Sequence, residues 1–142
     1  MKLSLRNITV IISATLFALS LTQPAFRVGN ATNDWWPSIL ALLTGWLGIT
    51  VSGAAICWVA NPLLVTGWFL LYRRPKIAAW LGVLATIAAA CFLLFDKVVI
   101  DEAGHTGPIL AYGAGYRLWL AACGCFAAGA TVAYLSDKST GK

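Results

Sequence analysis

Long apolar stretches separated by short polar segments dominate the sequence, and their lengths indicate helices that cross a membrane. The stretch from Trp36 to Tyr72 contains no charged residue. As one straight helix it would be about 55 Å long, at a rise of about 1.5 Å per residue. The hydrocarbon core of a bilayer is only about 30 Å thick. The stretch is therefore too long for one perpendicular span and too short for two spans with a turn.

The glycines of this stretch suggest how it divides. Three of them interrupt its first third, at Gly45, Gly48 and Gly53. Residues 37–48 are therefore predicted to form a short helix that lies in the membrane interface or dips into it, held by the flanking tryptophans. Residues 49–72 then form one span of the required length. The span is expected to end at the basic cluster Arg73, Arg74 and Lys76.

Three further apolar segments complete the prediction of an all-α membrane protein with four transmembrane helices in a bundle. They are residues 7–26, 77–95 and 109–135, all within a single integral-membrane domain that covers residues 1–142. The fourth span begins either at Ile109 or only near Gly115, because its opening is rich in Gly and Tyr. The first segment also has the layout of a signal peptide. An uncleaved helix is favoured, because Ala18-Leu19-Ser20 matches the A-x-A pattern of cleavage sites poorly. Cleavage would also leave an odd number of spans.

Charge sets the predicted orientation. Lys and Arg collect on one side of the four spans, which by the positive-inside rule is cytoplasmic and holds both termini. That side carries Lys2, Arg6, Arg73, Arg74, Lys76, Lys138 and Lys142. The other side carries fewer cations together with Asp34, Asp96, Asp101 and Glu102.

Composition supports a bilayer as the environment. The chain is 60% hydrophobic and 11% charged, with a mean hydropathy of +0.81, whereas soluble domains carry about a quarter charged residues. The net charge of +5 is accounted for by cytoplasmic loops, and the basic residues show no pattern typical of nucleic-acid binding. We therefore expect the lipid bilayer, and no nucleic acid, as a partner.

Asn61 and Pro62 fall in the middle of the second span. Pro62 lacks a backbone N–H, so it should kink the helix there. The amide of Asn61 needs a partner in an apolar environment. It either bonds to a neighbouring helix or to the carbonyl that Pro62 leaves unpaired, or it contacts a ligand or ion at a broken helix, as in transporters. The structural role is favoured, because no second polar residue lies at this depth.

Several charged residues gather on the outer side. Asp96, Asp101, Glu102 and His105 could form a metal or proton site, but one histidine and acids without ligand spacing favour a solvated loop. Arg117 lies just inside the start of the fourth span. We predict that it pairs with Asp96, or failing that with Asp101 or Glu102. The alternative is that Arg117 reaches lipid headgroups without a protein partner.

The four cysteines lie inside apolar segments, at Cys57, Cys91, Cys123 and Cys125. None forms a C-x-x-C pair, and Cys123 and Cys125 should point to nearly opposite faces of their helix. They are interpreted as small packing residues that stay reduced. Small residues also recur every fourth position, in two rows that predict close helix packing. The rows are Ala78, Gly82, Thr86, Ala90 and Ala121, Cys125, Gly129.

Three short strings carry a resemblance to known proteins: Gly45-Trp46-Leu47-Gly48, Trp58-Val59-Ala60-Asn61-Pro62-Leu63 and Gly115-Tyr116-Arg117-Leu118-Trp119-Leu120-Ala121. Together they resemble an uncharacterised group of small bacterial inner-membrane proteins with about four helices. The resemblance implies a membrane topology and a bacterial plasma (inner) membrane. It implies no activity.

The sequence contains no nucleotide-binding loop, nucleophile elbow, zinc motif or pair of intramembrane carboxylates. We therefore expect a protein that is not an enzyme, needs no cofactor or metal and has no identified small-molecule substrate. It would act through protein or lipid contacts, as an accessory subunit of an envelope complex or an immunity-type protein. The alternative is a small transporter or channel component that uses the Asn61-Pro62 helix break. A membrane enzyme of redox or lipid chemistry is the third hypothesis.

Overall fold

The computed structural model describes residues 4–29, 35–50, 52–101 and 103–139. The α-helices of this part are α1 (Leu5–Leu21), α2 (Ser38–Thr44), α3 (Gly53–Ile56), α4 (Ala60–Leu70), α5 (Pro75–Cys91) and α6 (Ala114–Ser139). Shorter 3₁₀ segments follow three of these helices, at Gly45–Thr50, Cys57–Val59 and Phe92–Leu94. No other helix interrupts the described ranges.

Three helical stretches are long and apolar enough to cross a membrane: Gly53–Leu70, Pro75–Leu94 and Ala114–Ser139. Each lies close to a predicted span, which is compatible with a membrane protein. The first predicted span is shorter than expected, because α1 ends at Leu21 and the chain then becomes extended at Pro24. Pro24 lacks an N–H, so the helix cannot continue through it without losing a hydrogen bond.

The helices pack through small residues, as the sequence predicted for the α5 row. A methyl group added at Gly82 of α5 would lie 2.9 Å from the Cα of Ala127 in α6, so the two backbones are in close contact. Phe126 and Leu64 are fully buried in the core between the helices. On α6 the predicted row is only partly correct, because Ala121 and Cys125 are exposed.

A four-stranded antiparallel sheet covers one end of the helices, and the sequence analysis did not predict it. Its strands are β1 (Pro24–Val28), β2 (Trp35–Pro37), β3 (Lys97–Val99) and β4 (Thr106–Tyr112), in the order β2-β1-β4-β3. The polar segments between the predicted spans, Arg27 to Pro37 and Val98 to Pro108, contribute residues to its strands. In the central strand β1, Phe26 pairs with Trp36 of the edge strand β2 on one side and with Tyr112 of the central strand β4 on the other.

The sheet also corrects the boundaries of the fourth span. Residues 109–112 belong to β4, and α6 begins at Ala114. The predicted later start of the regular helix, near Gly115, is therefore confirmed. The predicted short helix at 37–48 is present as α2 with its 3₁₀ extension.

The two ends of the helical bundle differ in character. The sheet end carries β1–β4 and an aromatic core, in which the ring centroids of Phe92 and Tyr116 are 5.6 Å apart. The opposite end, here called the basic end, holds the start of α1, the α4–α5 connection and the end of α6. There Arg6 forms a salt bridge with Asp137 and donates a hydrogen bond to the backbone oxygen of Tyr72.

Candidate functional site

A cavity of about 610 Å³ lies at the sheet end, between the sheet, α2 and the adjoining helices. Its wall is mostly apolar, with aromatic rings from six elements: Phe17, Phe26, Trp36, Trp58, Phe92, Tyr116 and Trp119. Leu47, which also lines it, is exposed, so the cavity reaches the protein surface. This size and this lining fall within the range of small-molecule sites, about 300–1,000 Å³ and predominantly hydrophobic.

The α2 segment closes one side of the cavity because Trp58 holds it in place. The indole N–H of Trp58 donates a hydrogen bond of 2.8 Å to the backbone oxygen of Leu42. The same ring lies against Gly45, where an added methyl group would be 2.6 Å from Trp58 Cδ1. A glycine is therefore required for this approach. Small residues of α2 and α3, among them Ala41 and Ala54, leave the space beside the ring unfilled.

Ser38 supplies a polar group in the cavity wall without a partner of its own. Its hydroxyl is buried and accepts or donates no hydrogen bond among the described residues. Only 8% of the residue is exposed, and Gly115 lies directly against the hydroxyl. A buried polar group without a partner costs about 1–3 kcal/mol. The oxygen of this hydroxyl is covered by protein atoms, so Ser38 packs against Gly115 and does not present its hydroxyl to a ligand in the cavity.

Asn61 also lines the cavity, but its amide is already satisfied by the protein. Its Nδ2 donates to the backbone oxygen of Trp58 at 3.0 Å, and its Oδ1 accepts from the indole N–H of Trp119 at 2.9 Å. Trp58 is the residue four before Pro62, so its carbonyl is the one that Pro62 leaves without a helical donor. Both predicted types of partner, the neighbouring helix and the freed carbonyl, are confirmed.

Pro62 does not end its helix. It lies in the first turn of α4, which directly follows the 3₁₀ segment Cys57–Val59. The irregular turn thus precedes the proline, as expected where a helical hydrogen bond is missing. The helix continues without interruption from Ala60 to Leu70.

Asp96, His105 and Arg117 are not brought together. Arg117 is exposed and forms no salt bridge with a described acid, and Glu102 lies outside the described residues. The predicted pair of Arg117 with Asp96 is therefore not formed. The reason is that β3 and β4 separate the ends of α5 and α6, where the prediction assumed a short loop. The charge of Asp96 affects Tyr112 instead. Burial is the larger cause of the raised pKa of Tyr112, and the nearby Asp96 carboxylate is the smaller one.

Asp101 and His105 form a local pair in the β3–β4 connection. His105 Nδ1 lies 2.6 Å from Asp101 Oδ2, and the backbone N–H of His105 donates to Asp101 Oδ1 at 3.0 Å. The backbone hydrogen bond, followed by the side-chain hydrogen bond, lowers the pKa of the Asp101 carboxyl from its ordinary value. In the described part of the chain no group of three potential metal ligands forms around this pair.

The cysteines are all unpaired thiols. Cys123 is buried and Cys125 is exposed, so the two do point to different faces of α6, as predicted.

Sequence reasoning missed the cavity and the residues that form it. Ser38 and Trp58 carried no pattern of their own, because a cavity depends on which side chains from distant segments fail to fill a space. The only available signal was the high density of glycine, alanine and tryptophan between residues 35 and 58.

Comparisons with protein-family models, with curated proteins and with solved structures give no match to this chain.

Proposed function

We propose that the chain is an integral protein of a bacterial inner membrane, with α1 as a fourth span and both termini in the cytoplasm. The 17 residues of α1 give a helix of about 26 Å, close to the hydrocarbon thickness of about 30 Å. Ser13 donates to the backbone oxygen of Ala122 at 2.9 Å, which ties α1 to α6. Most exposed residues of α1 are apolar, as lipid contact requires, with Thr15 as the polar exception: Leu5, Ile8, Ile11, Ile12, Ala18 and Leu19.

Reporter fusions test this orientation. A fusion after Lys76 should report the cytoplasm, and a fusion after Gly104 should report the external side. The positive-inside rule is the reason, since Arg73, Arg74 and Lys76 stand together at the basic end. An external signal at Lys76 would refute the orientation, and equal signals at both positions would refute the single span, Pro75–Leu94, that separates them.

Within this topology, we infer that the protein is not an enzyme and acts by holding one apolar chain of a lipid in the cavity at the sheet end. The observation that carries this function is the cavity itself, because it is large, mostly apolar and open at Leu47. Burial of methylene groups would supply the affinity, at about 0.8 kcal/mol for each.

The cavity favours lipid contact over the other functions that the sequence left open. A transporter or channel built on the Asn61-Pro62 break is less favoured, since the amide nitrogen and the amide oxygen of Asn61 each form a hydrogen bond within the protein. An envelope-complex subunit or an immunity-type protein would act through a partner-binding surface, and no specific observation favours one. Lipid binding is therefore the function proposed here.

A cavity-filling variant tests lipid binding in the cavity at the sheet end. Ala41→Trp places a large ring in the cavity wall, while Ala128→Trp adds the same ring on the exposed side of α6. Photoactivatable fatty acid should crosslink to peptides of α2 and α3 in the wild type and in Ala128→Trp, and about tenfold less in Ala41→Trp, because the ring occupies the site. Native mass spectrometry of the purified proteins should show the same order of lipid retention. Equal crosslinking in all three folded proteins would refute the site.

A further inference from the structure

A second pocket lies at the basic end, away from the cavity and the sheet. Its volume is about 380 Å³. Three separate segments build it: the start of α1, the α4–α5 connection and the last turns of α6. Five cations line it, Arg6, Arg73, Arg74, Lys76 and Lys138, together with one carboxylate, Asp137. Among the described residues of the lining, four positive charges are therefore not balanced by a carboxylate.

The carboxylate is already engaged. Arg6 forms a salt bridge with Asp137, and the other end of the same guanidinium donates to the backbone oxygen of Tyr72 at 3.2 Å. Tyr72 in turn donates through its hydroxyl to Asn7 at 3.1 Å. These bonds join α1, the α4–α5 connection and α6 around the pocket. Arg6 and Asp137 thus connect the segments that form the pocket, and the remaining cations give the pocket its positive charge.

The α4–α5 connection supplies most of that charge. Arg73, Arg74 and Lys76 are exposed, and none forms a salt bridge with an acid in the described ranges. Lys138 of α6 adds a fourth cation, which is also exposed and forms no salt bridge with a described acid. Arginine side chains present several N–H donors in a plane, which suits the tetrahedral oxygens of a phosphate. Two adjacent arginines with two nearby lysines therefore form a group of donors suited to one dianionic or monoanionic phosphate.

The start of α5 adds backbone donors at the same place. Pro75 occupies the first turn, and the preceding residue, Arg74, provides no side-chain cap. The first N–H groups of a helix have no partner within the helix, and they carry a partial positive charge. Pro75 has no N–H, but Lys76 also lines the pocket, so the backbone N–H of Lys76 reinforces a site that the side chains already define.

Membrane topology alone explains only part of this arrangement. The positive-inside rule accounts for cations on one side of a membrane. It does not require that cations from three distant segments line one pocket, nor that the sole acid among them be bonded to a framing arginine. Convergence of this kind is typical of headgroup sites between helices on the cytoplasmic side.

We propose that this pocket binds a phosphate group, supplied by the headgroup of an anionic phospholipid or by a soluble phosphate. The lipid source rests on the membrane orientation proposed above, whereas the phosphate chemistry rests only on the pocket. Neither depends on the apolar cavity, so the two sites are tested independently.

Calorimetric titration of the full-length protein in neutral detergent tests the proposal. The probes are inorganic phosphate and dihexanoyl phosphatidylglycerol. The variant Arg73→Gln/Arg74→Gln removes two charges from the pocket, and the control Lys97→Gln/Arg117→Gln removes two exposed charges from the sheet end. We expect the pocket variant to bind about tenfold more weakly than the wild type, because two charge-assisted hydrogen bonds are lost. The control should bind like the wild type.

The outcomes separate the sources. Weakening for phosphatidylglycerol alone assigns the site to a lipid headgroup, and weakening for inorganic phosphate alone assigns it to a soluble phosphate. Equal weakening in the pocket variant and the control would show general charge attraction and overturn the proposal, as would absence of binding to the wild type. If circular dichroism shows that Arg73→Gln/Arg74→Gln is unfolded, Arg74→Gln/Lys138→Gln replaces it under the same criteria. Ala41→Trp should leave phosphate affinity unchanged, whatever its effect on the cavity.

Discussion

The side chain of Asn61 connects Trp58 and Trp119, and its replacement by alanine is expected to destabilise the protein. Two groups would lose their partners: the indole N–H of Trp119 and the backbone oxygen of Trp58. Asn61 is 8% exposed, so little water is available to replace the amide. A buried donor or acceptor left unpaired costs about 1–3 kcal/mol. We therefore expect Asn61→Ala to lower the free energy of unfolding by about 2–4 kcal/mol.

A double-mutant cycle isolates the contact between the two helices. Unfolding would be measured in bicelles for Asn61→Ala, Trp119→Phe and the double variant. Trp119→Phe keeps a ring but removes the indole donor. Side-chain hydrogen bonds between membrane helices have coupling energies of about 0.6 kcal/mol on average and about 1.7 at most. The coupling between these two residues should fall in that range.

Pro62→Ala provides a second test of the same reasoning. Residue 62 would then carry a backbone N–H, which could bond to the oxygen of Trp58. In this background Asn61→Ala should cost about 0.5–1.5 kcal/mol less than in the wild type. The reasoning would be refuted by a loss below about 0.5 kcal/mol for Asn61→Ala together with zero coupling to Trp119.

Three further predictions concern packing, the outer turn and the thiols. Gly82→Ala should cost about 1–3 kcal/mol in thermal unfolding because its methyl group would meet the α6 backbone, whereas Gly124→Ala, with nothing within 4 Å, should be neutral or stabilising. His105→Ala should raise the pKa of Asp101 toward the ordinary value of an aspartate in a carboxyl NMR titration, because it removes the side-chain hydrogen bond that helps to lower it. Since the folded pKa is the lower one, the pair stabilises the turn above the unfolded pKa and loses this effect as pH falls through the folded pKa; an unchanged Asp101 titration would contradict the pairing. All four cysteines should react as free thiols after denaturation without reductant, and a disulfide in mass spectrometry would contradict this.

Much of the helical architecture could be predicted from the sequence, because hydropathy and length are local properties. The lack of charge between Trp36 and Tyr72 placed one long helix and a short one before it, and both are present. The position of Pro62 four residues after Trp58 fixed which carbonyl would need a partner. Gly82 and its neighbours indicated where α5 would approach another helix closely.

The sheet, the cavity and the pocket at the basic end depended on the tertiary structure. Phe26 pairs with Tyr112 across most of the chain, and neither segment has the clear alternation that identifies a strand on its own. Arg117 was expected to meet Asp96 because a short loop was predicted to join their two helices, but β3 and β4 occupy that connection and the two residues do not pair. Arg6, Arg74 and Lys138 were visible only as a charge bias, and it is the packing of α1 and α6 beside the α4–α5 connection that brings them to one pocket. Sequence determines such contacts only through the complete fold, since their energies arise between segments that are distant along the chain.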